Sequence, residues 1–249
     1  MAADGGVFSF GSAGFYGSLG GQPLNAPVVG MAAGSNDAGY WLVGADGGVF
    51  AFGDAGFYGS LPGLGINVRN IVGIASTPDG NGYWLVGSDG GVFAFGDANY
   101  YGSLPGNGEH PNAPVVSIVG TPDGGGYYLA GADGGVFTFG DAPFFGSFVG
   151  YQWQGTPVPV IGLQLNFGAP PVPPGYYVAS SYGQEAALPG SSFYEGIALD
   201  GPAVGFSGNL LVTGTGQVAI RGTLPTQYEP GLTGVGLNAP VVGMFSFLA

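Results

Sequence analysis

The chain has 249 residues with 55 Gly, 20 Pro and no Cys, which excludes disulfides, thiolate metal sites and a cysteine nucleophile. Two cations, Arg69 and Arg221, stand against fifteen acids, so a net charge of −13 leaves no phosphate-neutralising surface and excludes nucleic acid and anionic membranes as partners. Aromatic residues make up 14% of the chain, and Gly, Pro or Asp interrupts every apolar run before the roughly 18 residues of a membrane span. The expectation is short ordered strands punctuated by glycine, with no membrane insertion.

In chain order, repeat sequence opens at Asp4. Asp-Gly-Gly-Val-Phe begins at Asp4, Asp46, Asp89 and Asp133, at intervals of 42, 43 and 44 residues. That period lies near the ~40 to 45 residues of a four-stranded propeller blade. The first copy carries only the last two of four apolar stretches, residues 7–10 and the pair Phe15-Tyr16. Three fuller units follow. Their first stretches are residues 27–31, 70–74 and 114–118, and their second are residues 40–43, 83–86 and 127–130. The third stretches are residues 49–52, 92–95 and 136–139, and the fourth carry Phe57-Tyr58, Tyr100-Tyr101 and Phe144-Phe145, each followed by Gly-Ser. Thr77-Pro78-Asp79-Gly80 and Asp89-Gly90-Gly91 are hairpin signals, because Pro presets one turn dihedral and Gly accepts a positive φ. Each unit is therefore predicted to be a four-strand antiparallel meander. In Tyr83-Trp84-Leu85-Val86, Tyr and Leu point one way and Trp and Val the other, so both faces must be covered.

The fold class expected is all-β, with a β-propeller-like repeat domain formed by residues 1–149 plus 238–249. Residues 238–244 duplicate residues 25–31, so four blades closed by pairing the N- and C-terminal strands are predicted. A threefold trefoil or prism, and a ring assembled from several chains, are the rival architectures. Between Gly150 and Gly236 the period breaks, and six strand candidates lie among Pro- and Gly-rich turns, at residues 158–167, 176–181, 193–199, 203–206, 209–213 and 217–222. An inserted β-sandwich or jelly-roll-like domain is expected over residues 150–237.

Asp46-Gly-Gly-Val-Phe-Ala-Phe-Gly-Asp54-Ala-Gly-Phe-Tyr-Gly-Ser60, with Gly82-Tyr-Trp-Leu-Val-Gly-Ser-Asp89, resembles a tandem repeat of actinobacterial surface or secreted proteins. The same repeat occurs in virion proteins of their phages. The resemblance covers residues 4–148 and extends to 238–244. It implies a surface or virion role and carries no catalytic residues across. Ser12 stands where the other copies have Asp54, Asp97 and Asp141, and Ser35-Asn36-Asp37 replaces the Thr-Pro-Asp turn, so these acids do not make a shared essential site.

No catalytic, cofactor or metal residues are assigned. His110 sits in a loop without a Ser or acid partner in any motif context. Asp46 and Asp54 have the types of a glycosidase pair, yet they recur in each complete unit as hairpin-turn residues do. Calcium lacks the Asp-x-Asp-x-Asp spacing, and Gly124-Gly125-Gly126 lacks the Lys of a phosphate loop. The aromatic positions are the binding candidates: Trp41, Trp84 and Tyr128 recur at equivalent places and are candidates for ligand stacking, against the plainer reading that they pack the core. The expected function is a non-enzymatic structural or adhesive virion component, a minor tail or tail-tip protein. Its partners would be other virion proteins, copies of itself and a host cell-wall glycan. Without a basic segment leading into an apolar stretch, no signal peptide is expected. The alternative is a glycan-binding repeat protein of the bacterial cell surface or its surroundings.

Overall fold

A computed structural model describes residues 1–150, 152–153, 156–157, 159–166, 175–182, 185–188, 193–194, 203–207, 210–214, 218–220 and 227–229. The chain is all-β apart from 310 turns such as Pro62–Leu64 and Pro105–Asn107. The first unit pairs β1 (Val28–Ala33), β2 (Gly39–Gly44) and β3 (Val49–Gly53) in the order β1-β2-β3, all antiparallel. The second does the same with β4 (Ile71–Ser76), β5 (Gly82–Gly87) and β6 (Val92–Gly96), and the third with β7 (Val115–Gly120), β8 (Gly126–Gly131) and β9 (Val136–Gly140).

Each regular unit thus has three strands where four were predicted. The fourth stretch, with its aromatic pair, joins no sheet. Gly53, Gly96 and Gly140 take φ of 66°, 70° and 69°, and turn the chain out of the third strand. Much of the backbone hydrogen bonding that follows is supplied by side chains of neighbouring strands, as set out below, so a ladder partner is not needed there.

The central strands are buried on both faces, as their doubly apolar pattern requires. Trp41 and Val43 of β2 pack into one cluster with Tyr83 and Leu85 of β5. Trp84 and Val86 of β5 meet Tyr127 and Leu129 of β8 in the next. Tyr40 and Leu42 cover the first half-unit, against Val7 and Leu19. Each large side chain fully buried in this way contributes on the order of 1.5 to 3 kcal/mol. No unit could cover both of its own faces, so the array is stable only as an array.

Past Gly150, where the sequence period breaks, the packing continues. Beyond the short pair β10 (Gln152–Trp153) and β11 (Thr156–Pro157) come two four-stranded antiparallel meanders. One is β12 (Val160–Asn166), β13 (Gly175–Ser180), β14 (Glu185–Leu188) and β15 (Phe193–Tyr194). The other is β16 (Ala203–Ser207), β17 (Leu210–Thr213), β18 (Val218–Ile220) and β19 (Gln227–Glu229). Tyr128 and Ala130 of β8 share a cluster with Tyr176 and Val178 of β13, in the relation Trp84 and Val86 bear to Tyr127 and Leu129.

The first strands form the spine: β1 packs beside β4, β4 beside β7, β7 beside β12, and β12 beside β16. All five carry a register shift at the same place, between Val28 and Gly30, Ile71 and Gly73, Val115 and Ser117, Val160 and Gly162, and Ala203 and Gly205. The residue after each bulge is Gly or Ser, and between β1 and β4 the close approach of the strands requires it. A Cβ on Gly30 would fall 2.9 Å from Val43 Cγ1 and 3.3 Å from Gly73 Cα.

A backbone relay ties the spine together. Ala45, Ser88, Ala132 and Ser181 each donate N–H to the residue opening their own unit, Pro27, Asn70, Pro114 and Pro159, at 2.8 to 2.9 Å. Their carbonyls accept from the next unit's first strand, at Ile71, Val115, Val160 and Ala203, over 2.8 to 3.1 Å. Ala3 accepts from Val28 in the same manner at 2.9 Å. The expected closing strand at 238–249 lies outside the described residues.

Candidate functional site

The three rings expected to stack on a ligand are interior. Trp41 and Trp84 are fully buried and Tyr128 is 3% exposed. A sugar needs an open ring face, and each of these rings lies against a tyrosine of the following sheet: Trp41 is 5.6 Å from Tyr83, Trp84 5.7 Å from Tyr127, and Tyr128 5.6 Å from Tyr176, centroid to centroid. Burial wins because the strand that carries them is sandwiched between units.

The open rings that recur from unit to unit are the first members of the aromatic pairs; Tyr182 and Phe10 are also exposed. Phe15, Phe57, Tyr100 and Phe144 are 55 to 61% exposed, one per unit at equivalent positions. Units that dock alike repeat the same exposed position from one unit to the next. The sequence held a signal for them, since the pairs were visible as a period, but not for which member turns outward. Hydrogen bonding decides that. The second member is pinned: Tyr58 N–H donates to Tyr83 Oη at 3.2 Å, and the Tyr58 hydroxyl donates to Gly80 C=O at 3.1 Å. Tyr101 repeats this on Tyr127 and Gly124, and Tyr16 on Tyr40 and Asp37.

Each strand tyrosine therefore acts as a latch. Tyr83 Oη accepts from Tyr58 N–H and donates to Gly59 C=O at 2.6 Å; Tyr40 donates to Gly17 and Tyr127 to Gly102, both at 2.5 Å. Tyr176 donates to Gly146 C=O in the same way. On the other side, Trp41 Nε1 donates to Gly56 C=O at 2.6 Å and Trp84 Nε1 to Asn99 C=O at 2.8 Å. Phe57 and Tyr100 are thus held between an indole on the preceding residue and a phenol on the following one. Trp41 and Trp84 anchor the backbone beside the exposed rings and offer no open face of their own. Desolvation in these latches pushes Tyr127 and Tyr176 up to about 12, and raises Tyr83 and Tyr40.

The acids are turn residues. Asp4, Asp46, Asp89 and Asp133 accept the N–H two residues on, from Gly6, Gly48, Gly91 and Gly135, at 2.9 to 3.0 Å. Thr77 Oγ1 lies 2.8 Å from Asp79 Oδ1 and 3.2 Å from Asp97 Oδ1, and Thr121 stands 3.5 Å from Asp141 in the next unit. The Thr77 hydroxyl, with Asn81 backbone and side-chain donors, holds Asp79 down at about 2, while desolvation and the neighbouring Asp79 push Asp97 up. Both carboxyls face water, so this is a solvated turn network and not a poised acid–base pair. His110 is exposed in the loop after Pro105–Asn107. Among the described residues no three His, Cys, Asp or Glu side chains converge to hold a metal ion. The chain matches no protein-family model, and no curated protein is similar to it.

Proposed function

We propose that the chain is a non-enzymatic adhesive scaffold, a propeller-like array that presents one open aromatic ring per unit to a surface glycan. The row Phe15, Phe57, Tyr100 and Phe144 carries the reading. Pyranose rings present C–H edges that suit the electron-rich face of an aromatic side chain, and a repeating polymer suits a repeating row. The partner is neutral or cationic, because a protein with net charge −13 and two cations repels anionic polymers. Pinned backbone around each ring lowers the ordering cost of binding.

The setting proposed is an actinobacteriophage particle, as a minor tail or tail-tip protein contacting host cell wall; it rests on the repeat's resemblance and on the adhesive row. The spine order supports a radial array in which the sheets β12 to β15 and β16 to β19 are divergent units rather than a separate sandwich. Phe57→Ala/Tyr100→Ala is expected to lose retention on insoluble neutral cell-wall polysaccharide while melting within a few degrees of the parent. Retention unchanged in a folded variant would remove the glycan reading. Mass spectrometry of purified particles tests the setting, and absence of the protein there favours the alternative, a bacterial surface glycan-binder.

A further inference from the structure

We infer, building on the adhesive reading above, that Tyr100 is the specificity-determining ring: a sugar hydroxyl donates to its phenol oxygen, while Phe57 is a stacking platform indifferent to that hydroxyl. The two rings are followed by loops that share one backbone. Pro62–Leu64 and Pro105–Asn107 are both 310 turns, closed by Gly65 and Gly108 at φ of 73° and 75°. Leu64 N–H donates to Ser60 C=O at 3.2 Å and Ile66 N–H to Leu61 C=O at 3.0 Å; Asn107 to Ser103 and Glu109 to Leu104 repeat the pair at 3.0 and 2.8 Å. Leu64 and Ile66 therefore occupy in the first unit the places that Asn107 and Glu109 occupy in the second, and all four are exposed. One frame carries apolar side chains in one unit and hydrogen-bonding ones in the next. Folding does not demand the difference, because the turn and its closing glycine form with either set.

The rings divide in the same way. Among the exposed first members of the aromatic pairs, Tyr100 alone has a hydroxyl. Tyr100 Oη donates to Ser103 Oγ at 3.0 Å, and Gly106 N–H donates to the same oxygen at 3.1 Å. Both lone pairs of the buried Ser103 hydroxyl are then filled, the phenol proton is committed to the turn, and the phenol oxygen is left to accept from a ligand. Only glycine fits beneath that phenol: a Cβ on Gly106 would fall 2.9 Å from Tyr100 Oη and 2.9 Å from Ser103 Oγ. In the first unit Ser60 Oγ likewise accepts from Gly63 N–H, at 3.2 Å, but a Cβ on Gly63 would meet only Ser60 Oγ, so Phe57 does not lie over its turn. In the third unit the corresponding Ser147 Oγ is taken by Val136 N–H at 3.0 Å. An aromatic face attracts the C–H surface of any pyranose, whereas a fixed acceptor separates a free hydroxyl from a capped one.

The test uses the full chain with two probes, insoluble neutral cell-wall polysaccharide and the same polymer with its hydroxyls methylated. The parent is expected to be retained about three- to tenfold more tightly on the free-hydroxyl form. Tyr100→Phe keeps the ring and is expected to lose that preference while still being retained on both forms. Gly106→Ala keeps the phenol but displaces it from Ser103, and is expected to lose the preference as well. Thermal melts within a few degrees of the parent are expected for both variants. Equal retention of the parent on the two forms, or a preference unchanged in Tyr100→Phe or Gly106→Ala, would overturn the inference; the adhesive reading would still stand on loss of retention in Phe57→Ala/Tyr100→Ala. A parent retained on neither form would overturn that reading and this inference together.

Discussion

The regular units and the stretch beyond Gly150 solve one packing problem with different amounts of sequence. Units one to three spell out everything: Asp-Gly-Gly turns, a Tyr-Trp-Leu-Val or Tyr-Tyr-Leu-Ala strand, and Gly-Ser after each aromatic pair. The sheet of β12 to β15 lacks the Asp-Gly-Gly turn and the aromatic pair with Gly-Ser, but keeps Pro-Val-Ile-Gly at the bulge, Gly-Tyr-Tyr-Val-Ala-Ser in β13 with the latch Tyr176, and the relay residue Ser181. It docks against the third unit through the same contacts. The lesson is that the docking set is smaller than the repeat. A small residue after a bulge lets spine strands approach, a relay residue links them, and a phenol clamps the preceding loop. The remaining motif serves hairpin turns, and turns tolerate substitution so long as their backbone groups are satisfied.

Three experiments break or sharpen that comparison. The largest effect is expected from Trp84→Ala, which removes a fully buried ring packed on Tyr127 and the donor to Asn99 C=O. A loss of about 3 to 5 kcal/mol is expected by denaturant titration, against less than ~0.5 kcal/mol for exposed Phe57→Ala. Equal losses would erase the distinction between interior rings and the open row.

Next in size is the latch. Tyr83→Phe leaves Tyr58 N–H and Gly59 C=O without their phenol and is expected to lose about 1 to 3 kcal/mol. Tyr176→Phe is expected to lose a similar amount, since it removes the same donor from Gly146. If thermal melts showed Tyr176→Phe silent while Tyr83→Phe destabilised, the divergent sheet would not share the units' docking mode.

The smallest effect concerns the turn acids. Because Asp79 is held at about 2, below its ordinary value, its contribution is present at neutral pH and is lost only as pH falls toward 2. Asp97 is shifted upward, so it takes up its proton first on acidification and acts in the opposite sense. Thr77→Val removes the strongest donor to Asp79, and carboxyl NMR titration is expected to find Asp79 moved toward the ordinary carboxylate range. An unmoved Asp79 would mean that Asn81, and not Thr77, sets it.

The sequence by itself determined the strands, the turns and the demand for cover on two faces. Period-two alternation in residues 83–86 admits no solvated side, and the clusters of Trp41 with Tyr83 and of Trp84 with Tyr127 meet that demand. It also flagged residues 158–167, 176–181 and 203–206 as strands. Tertiary structure alone decided three things. It withheld the fourth strand, because Tyr40, Tyr83 and Tyr127 hydroxyls from other units satisfy the backbone of the aromatic loops. It turned Phe57 and Tyr100 outward and Trp41 and Trp84 inward, a choice set by which ring has a neighbouring unit to lie against. And it exposed the kinship of Val160 and Ala203 with Val28, which local composition hides because a bulge and a relay bond are backbone features that many side chains can accompany.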